Sequence, residues 1–286
     1  MGALTSVGVV LHPSRAPQQA IGVLMDWAMR NQLPVYGLAA EVGRLDCAAM
    51  PVAEPQIAGM SSLLVSLGGD GTMLRTLRLA HQMRTPVLGV NNGRLGFLAE
   101  VDLEDLPGAL TAIDDHEYTV ESRASLTAEC KGGSTLAYND IALVRVPGDG
   151  IAAVEVVVDG EAFVRYAADA VVVATPTGST AYSFSAGGPI VSPTVDGLLV
   201  VPAAPHSTFN RALMLHHDEQ LVLRVLPSSG RLAVEVDGAV ATHVGPGDEI
   251  SFQVDASAGS VVRLGRTTFY ERARRKLMVN GSAEAF

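Results

Sequence analysis

The sequence predicts an α/β N-terminal domain with a mostly parallel sheet, followed by a C-terminal antiparallel β-sandwich-like domain. Three observations carry that prediction. As far as residue 116, short apolar runs alternate with stretches patterned as helices. Over 117–265 the helical period gives way to successive runs rich in Val, Leu and Ala. Two of the later junctions, Asp159-Gly160 and Asp237-Gly238, place Asp-Gly between such runs, a strong signal for a tight hairpin turn. The remaining segment, 266–286, reads as a C-terminal helix or tail that packs back on the N-terminal domain.

Residues 7–11 make the first strand and lead into His12-Pro13-Ser14-Arg15. Residues 16–30 set Ile21, Leu24, Met25 and Ala28 on one helical face. Residues 35–38 are a short second strand, and 41–60, interrupted by Gly and Pro, read as loops with one short helix. The apolar run 63–67, bounded by polar residues and glycine, suits a strand buried on both faces. It runs into Gly68-Gly69-Asp70-Gly71-Thr72, after which Leu74, Leu77 and Ala80 recur at helical spacing until Thr85-Pro86 stops the helix. Residues 87–90 form the next strand and end in NNGRLGFL (91–98); 102–113 is a helix with Pro107 in its middle. Strands alternating with helices imply right-handed crossovers and a ligand edge at the strands' carboxyl ends. In the second part, 117–129, 135–144, 153–158, 162–166, 170–174, 198–201, 220–225, 231–236, 240–244, 249–254 and 260–264 read as strands. The basic stretch 270–278 (YERARRKLM counts from Tyr270) reads as a helix with a solvated face.

Composition removes several functional classes. At 286 residues with 48% hydrophobic content, the chain has ample material for real cores. A net charge of −10 speaks against a general nucleic-acid or anionic-membrane surface. No apolar run of membrane-spanning length is free of Gly, Pro or charge, and MGALTSVGVV lacks a basic leader region, so a cytoplasmic protein is expected. The two cysteines, Cys47 and Cys130, imply no disulfide framework.

The chemistry concentrates in two places. A strand, a glycine loop and a helix make an anion site: Gly68, Gly69 and Gly71 permit positive φ and leave no Cβ, so N–H groups around Thr72 can approach phosphate oxygens. The helix start adds free donors and a positive dipole end. Asp70 repels phosphate, so its presence points to a task such as holding a metal or taking a proton from an attacking hydroxyl; the alternative is a helix cap. Arg75, one turn on, is either a phosphate ligand or an exposed helix arginine. The second place is TPTGSTAY (175–182), where Thr175, Thr177, Ser179, Thr180 and Tyr182 crowd polar groups after an apolar strand. They serve a polar ligand or cap a helix starting near Gly178. His216-His217-Asp218-Glu219 is contiguous rather than spaced as zinc ligands are, and no metal ligand is assigned to a protein side chain. Neither GxGxxG nor the Walker GxxxxGK[ST] pattern occurs, so a dinucleotide would be held by another geometry.

GGDGT, NNGRLGFLAE, Asn139-Asp140 and TPTGSTAYSFSAGG, in this order, resemble the NAD kinase family, as do HPSR near the start and Ala204-Pro205-His206-Ser207. GGDGT alone is shared with diacylglycerol, sphingosine and 6-phosphofructokinase relatives; TPTGSTAY discriminates. The resemblance implies phosphorylation of the 2′-hydroxyl of the adenosine ribose of NAD, with ATP or polyphosphate as donor and Mg²⁺ or another divalent cation accompanying it. It implies Asp70 as general base, Gly71 and its neighbours near NAD and the donor phosphates, and Asn139-Asp140 on the adenosine and its ribose. It further implies Asp169 at the nicotinamide end, a pocket lined by Thr180, Ala181, Tyr182 and Ser185, and a homodimer or homotetramer. The chain departs from the family's pattern in having Asp140 where Glu is usual, Ala168 and Ala170 where glycines flank Asp169, Ala167 where a basic residue often lies, and Ala239 in place of Gln. A lipid kinase of the GGDGT superfamily and a catalytically silent NAD(H) or NADP(H) sensor are the alternatives; intact Asp70 and the acidic surface favour the NAD-directed enzyme.

Overall fold

The computed structural model describes residues 4–14, 18–43, 47–91, 96–206 and 208–278. Its contacts divide the chain into two units, Met1–Ser122 with Gly259–Phe286, and Arg123–Ala258. The sequence pattern changes at 116/117 and 265/266, a few residues outside these borders, because two long strands run through both of them.

In the first unit, β1 (Val7–Leu11), β2 (Val35–Leu38), β3 (Met50–Val52), β4 (Leu63–Leu67), β5 (Val87–Asn91) and β6 (Val101–Asp102) pair in parallel in the order β3-β2-β1-β4-β5, with β6 also on β5. All five residues of β1, β4 and β5 are buried, as continuous apolar runs covered on both faces must be. The helices are α1 (Gln18–Arg30), α2 (Ala39–Val42), α3 (Ile57–Met60), α4 (Asp70–Ala80) and α5 (Leu106–Asp114). Ile21, Leu24 and Trp27 of α1 and Leu106, Leu110 and Ile113 of α5 share one core with Val7, Val9, Leu63, Val65, Leu88 and Val90. Met73 and Leu77 of α4 are fully buried. Two expectations are corrected. Residues 41–60 contain an edge strand, β3, whose three residues with a proline give no readable alternation. Pro107 lies in the first turn of α5, where its missing N–H costs nothing, and not in the helix middle. Ala16 and Pro17, placed in the first helix by the sequence, lie outside the described residues, as do 92–95 of NNGRLGFL.

The second unit is built from antiparallel strands: β7 (Thr119–Cys130), β8 (Gly133–Ala137), β9 (Asp140–Arg145), β10 (Ala152–Val158), β11 (Glu161–Ala168), β12 (Ala170–Ala174), β13 (Leu198–Ala203), β14 (Leu213–Leu215), β15 (Leu221–Val225), β16 (Leu232–Val236), β17 (Ala239–Val244) and β18 (Glu249–Arg263). One sheet has the order β14-β13-β12-β9-β16-β17; β11, β10, β15 and the first part of β18 are hydrogen-bonded in the other. Ile141, Leu143, Val171, Val173, Val200 and Val234 of the first sheet form one core with Val154, Val156, Leu223 and Ile250 of the second, the stacking of a sandwich. Both Asp-Gly hairpins form, with φ of 49° and 84° at Asp159 and Gly160 and of 46° and 82° at Asp237 and Gly238. The stretch 135–144, read as one strand, is two, broken at Tyr138 and Asn139. The stretches 249–254 and 260–264, read as two, are one strand, because its small residues 255–260 carry no alternation signal. A short helix, α6 (Tyr182–Ser185), follows the turn Thr177–Thr180. The last helix, α7 (Phe269–Lys276), belongs to the first unit.

Candidate functional site

In the first unit the site grows from the end of β4. Gly69 is the N-cap of α4 with φ −87° and accepts the Thr72 and Met73 N–H groups through its carbonyl. Gly68, Gly69 and Gly71 are not among the positive-φ residues, which corrects that part of the expectation. What matters is the missing Cβ. At Gly68 a Cβ would lie 2.2 Å from Thr72 Oγ1, whereas at Gly69 and Gly71 it would point into open space. That open space beside the first turn of α4, whose leading N–H groups have no partner within a helix, is a ready place for an anion. Thr72 Oγ1 is buried without a hydrogen-bond partner.

Asp70 does not cap α4; the helix N-cap has no side-chain hydrogen bond. Its carboxylate turns instead to the end of the NNGRLGFL segment. Phe97 N–H donates to Oδ2 at 2.9 Å and Leu98 N–H to Oδ1 at 3.1 Å. Gly96 makes this approach possible, since a Cβ there would stand 2.1 Å from Asp70 Oδ1. The Lys276 ammonium of α7 also donates to Oδ2, at 3.1 Å, and lies 4.4 Å from the centre of the Phe97 ring. The two sequence motifs of this unit thus meet at one carboxylate, still about a quarter exposed. Arg75 is directed elsewhere. It pairs with buried Glu41, which also accepts the Leu11 N–H at 2.8 Å, and with Glu54 at 2.8 Å. Burial opposes its charge, but hydrogen bonds and the field of Glu54 and Glu41 prevail and its pKa is raised.

In the second unit the break between β8 and β9 carries Asn139 and Asp140. Asp237, at the first position of its hairpin turn, accepts the N–H groups of Tyr138, Asn139 and Asp140 at 3.2, 2.8 and 3.3 Å. Thr175 ties the TPTGSTAY segment to the same break: its N–H donates to Asn139 O at 2.9 Å and its hydroxyl to Tyr138 O at 2.7 Å. Gly178 passes so close that a Cβ would stand 2.0 Å from Asn139 O. Asp140 is buried, and desolvation followed by the charge of Asp237 pushes its pKa up to about 7, against the Tyr182 backbone hydrogen bond that lowers it. Tyr182 is itself raised, by burial first and then by the charges of Glu235, Asp140 and Asp169.

The hydroxyls do not act as one group. Thr175 and Thr180 bond to backbone carbonyls, and Ser179 exchanges two hydrogen bonds with Val191, while Thr177 Oγ1 and Ser183 Oγ are buried without partners. Thr180, Ala181 and Tyr182 are partly exposed and Ser185 is exposed. Asp169, half exposed, forms an ion pair with Arg145 of the neighbouring strand. Arg145 therefore supplies a cation beside Asp169, although position 167 is Ala.

Comparison with known proteins agrees over the whole length. Residues 18–118 match the model of the ATP-NAD kinase N-terminal domain, and 138–264 that of the ATP-NAD kinase C-terminal domain. NAD kinase 1 of Streptomyces avermitilis is 37% identical, the match covering 99% of this chain and 89% of that one. NAD kinase of Heliobacterium modesticaldum is 37% identical over 96% of this chain and 99% of its own. This chain belongs to the NAD kinase family. Among solved structures, yeast NADH kinase complexed with NADH superposes with a TM-score of 0.85 at 27% identity, covering 100% of this chain and 91% of that one. An NAD kinase from Archaeoglobus fulgidus in complex with ATP shares the fold, with a TM-score of 0.74 at 23% identity over 97% of this chain and 100% of that one.

Family membership makes the chain a kinase that transfers phosphate to NAD. Among residues important to the two centres, sequence reasoning missed Gly96, Lys276, Arg145 and the bonding role of Asp237. The Asp237-Gly238 signal was legible only as a turn, and the other three come from pairings across segments. The histidine pair also gains a neighbour: register Leu198↔Leu215, continued two residues, sets Asp196 opposite His217, with Oδ1 2.9 Å from Nδ1. Asp196, His216 and His217 could offer three ligand atoms within 4.8 Å of one another. The other nitrogen of His217 faces Asp218 at 3.1 Å, so carboxylates already stand on both sides of the ring.

Proposed function

We propose that this kinase phosphorylates the 2′-hydroxyl of the adenosine ribose of NAD with ATP or polyphosphate, and that Asp70 takes the hydroxyl proton. The observation that carries this reading is the carboxylate itself. It is aimed by two backbone N–H groups, partly open, and adjacent to the vacant space beside Gly69 and Gly71. As the 2′-oxygen forms its bond to phosphorus, the bond from phosphorus to the donor's bridging oxygen breaks, the proton passes to Asp70, and the shortened donor leaves. Asn139 and Asp140 would hold the adenosine and its ribose, Asp169 the nicotinamide end, and Thr180, Ala181, Tyr182 and Ser185 the dinucleotide between them. Gly68, Gly69, Gly71 and Thr72 would cradle the donor phosphates. Arg75, neutralised by two glutamates, is better placed to hold α4 to its neighbours than to bind a phosphate.

The residues fit a divalent cation only as a companion of the donor. Both Asp70 oxygens already accept N–H donors, one of them an ammonium, which disfavours direct ligation. Mg²⁺ would be held by phosphate oxygens and water, where it neutralises charge on the donor. The working form would be a homodimer or homotetramer, which light scattering can decide.

The test is NADP formation with ATP, other triphosphates and polyphosphate, repeated on Asp70→Asn. The variant is expected to bind NAD normally by calorimetry while turnover drops on the order of 10²–10⁴-fold, the scale of a lost general base. Turnover close to that of the parent chain would remove Asp70 from this role.

A further inference from the structure

Resting on the reading of Asp70 as base, we propose that Lys276 is the cation that binds the transferred phosphoryl group. Phosphoryl transfer spreads negative charge over the phosphoryl oxygens, and a site whose base is itself a carboxylate needs a compensating positive charge close by. The 68–72 loop contains none, the chain has no Walker lysine, and Arg75 is consumed by Glu41 and Glu54. Lys276 stands where the charge is required. A hydroxyl donating its proton to Asp70 lies within about 3 Å of the carboxylate. Lys276 Nζ is 3.1 Å from the same Oδ2. The ammonium is therefore no farther than about 6 Å from an attacking oxygen that meets Oδ2, and about 8 Å from one that meets Oδ1. One of its three N–H donors serves Asp70 and the others remain to meet phosphoryl oxygens.

The placement is built and not incidental. A capping box starts α7: Thr268 Oγ1 accepts the Glu271 N–H at 3.2 Å and Glu271 Oε2 accepts the Thr268 N–H at 2.8 Å. Arg272, which is 3% exposed, donates to Thr267 O at 2.7 Å, and Ala273 is buried beside it. Lys276 follows those two at i+4 and i+3, on their side of the helix, and although it is itself partly open to solvent its ammonium reaches Asp70. The Phe97 ring beneath Nζ holds the ammonium without neutralising it.

Lys276→Met, which keeps the stem and removes the charge, is expected to lower turnover with ATP by about 10²-fold and raise KM for ATP, with NAD affinity unchanged. Lys276→Arg should restore part of the turnover. Lys276→Ala should regain activity saturably with added ethylammonium, a response that a helix-packing role would not give. Turnover of Lys276→Met within threefold of the parent chain, or a loss that neither arginine nor ethylammonium relieves, would overturn the proposal. A dead Asp70→Asn beside a normal Lys276→Met would sink this inference alone, whereas an active Asp70→Asn would sink the reading beneath it.

Discussion

At the residue scale, the carboxylate of Asp70 is directed by its environment more than by its own helix. Two N–H groups from residues 97 and 98 fix both oxygens, and only a glycine at 96 lets the backbone come that close. Gly96→Ala would insert a methyl 2.1 Å from Oδ1. The carboxylate, as the end of a side chain, can swing aside, so the fold survives at a cost of about 1–2 kcal/mol for the bonds lost. Turnover should suffer far more, dropping about 10²-fold, because Asp70, if it is the base proposed, would no longer be aimed at the hydroxyl. Steady-state kinetics beside thermal unfolding would separate the two effects. An active Gly96→Ala would mean that Asp70 needs no such fixed orientation. The GGDGT glycines illustrate how residue types can be legible while their reason is not. Positive φ was a sound expectation for three glycines in a loop, yet none of them adopts it: Gly68 makes room for the Thr72 side chain, and a Cβ at Gly69 or Gly71 would meet only open space.

At the element scale, the turn between β16 and β17 does more than reverse the chain. Its Asp237 gathers three N–H groups from the break between β8 and β9, so the hairpin end holds Asn139 and Asp140 in place. Asp237→Asn keeps a residue tolerant of the φ of 46° but removes the charge and one acceptor. It should destabilise the second unit by about 1–2 kcal/mol. It should also raise KM for NAD, measured with kcat in the same assay, by loosening the segment proposed to hold the ribose. An unchanged KM would show that the break keeps its shape unaided. The strands themselves were largely legible, since 63–67 and 170–174 are bounded by abrupt changes of residue type. The break at 138–139 was not. Tyr138 is fully buried and apolar residues recur on either side of the break, at 136–137 and 141–144, so the stretch reads on as one strand, and the acceptor that stabilises the break lies about a hundred residues later.

At the scale of the whole molecule, the order of α/β and β-rich parts followed from period alone, and TPTGSTAY added the family. What period cannot give is the return of the chain: α7 belongs to the unit that begins the sequence, and its lysine meets Asp70 across 206 positions. The same non-local packing writes a pH dependence into stability. Asp140 has an ordinary pKa of 3.8 when unfolded and about 7 in the fold, raised by burial and by Asp237. Between those values the folded chain holds a proton that the unfolded chain has released. Stability from this group is therefore complete below about pH 4, declines as pH rises, and is lost above about pH 7. The span of the shift corresponds to on the order of 4 kcal/mol. Asp140→Asn removes this titration, so the variant should gain on the parent chain as pH goes from 5.5 to 8. Because two units need not unfold together, the comparison belongs to the transition of the second unit followed by calorimetry. A difference between variant and parent that stays constant across that range would show that Asp140 ionises in the fold as it does in the open chain, and that the Asp140–Asp237 pair carries no such strain.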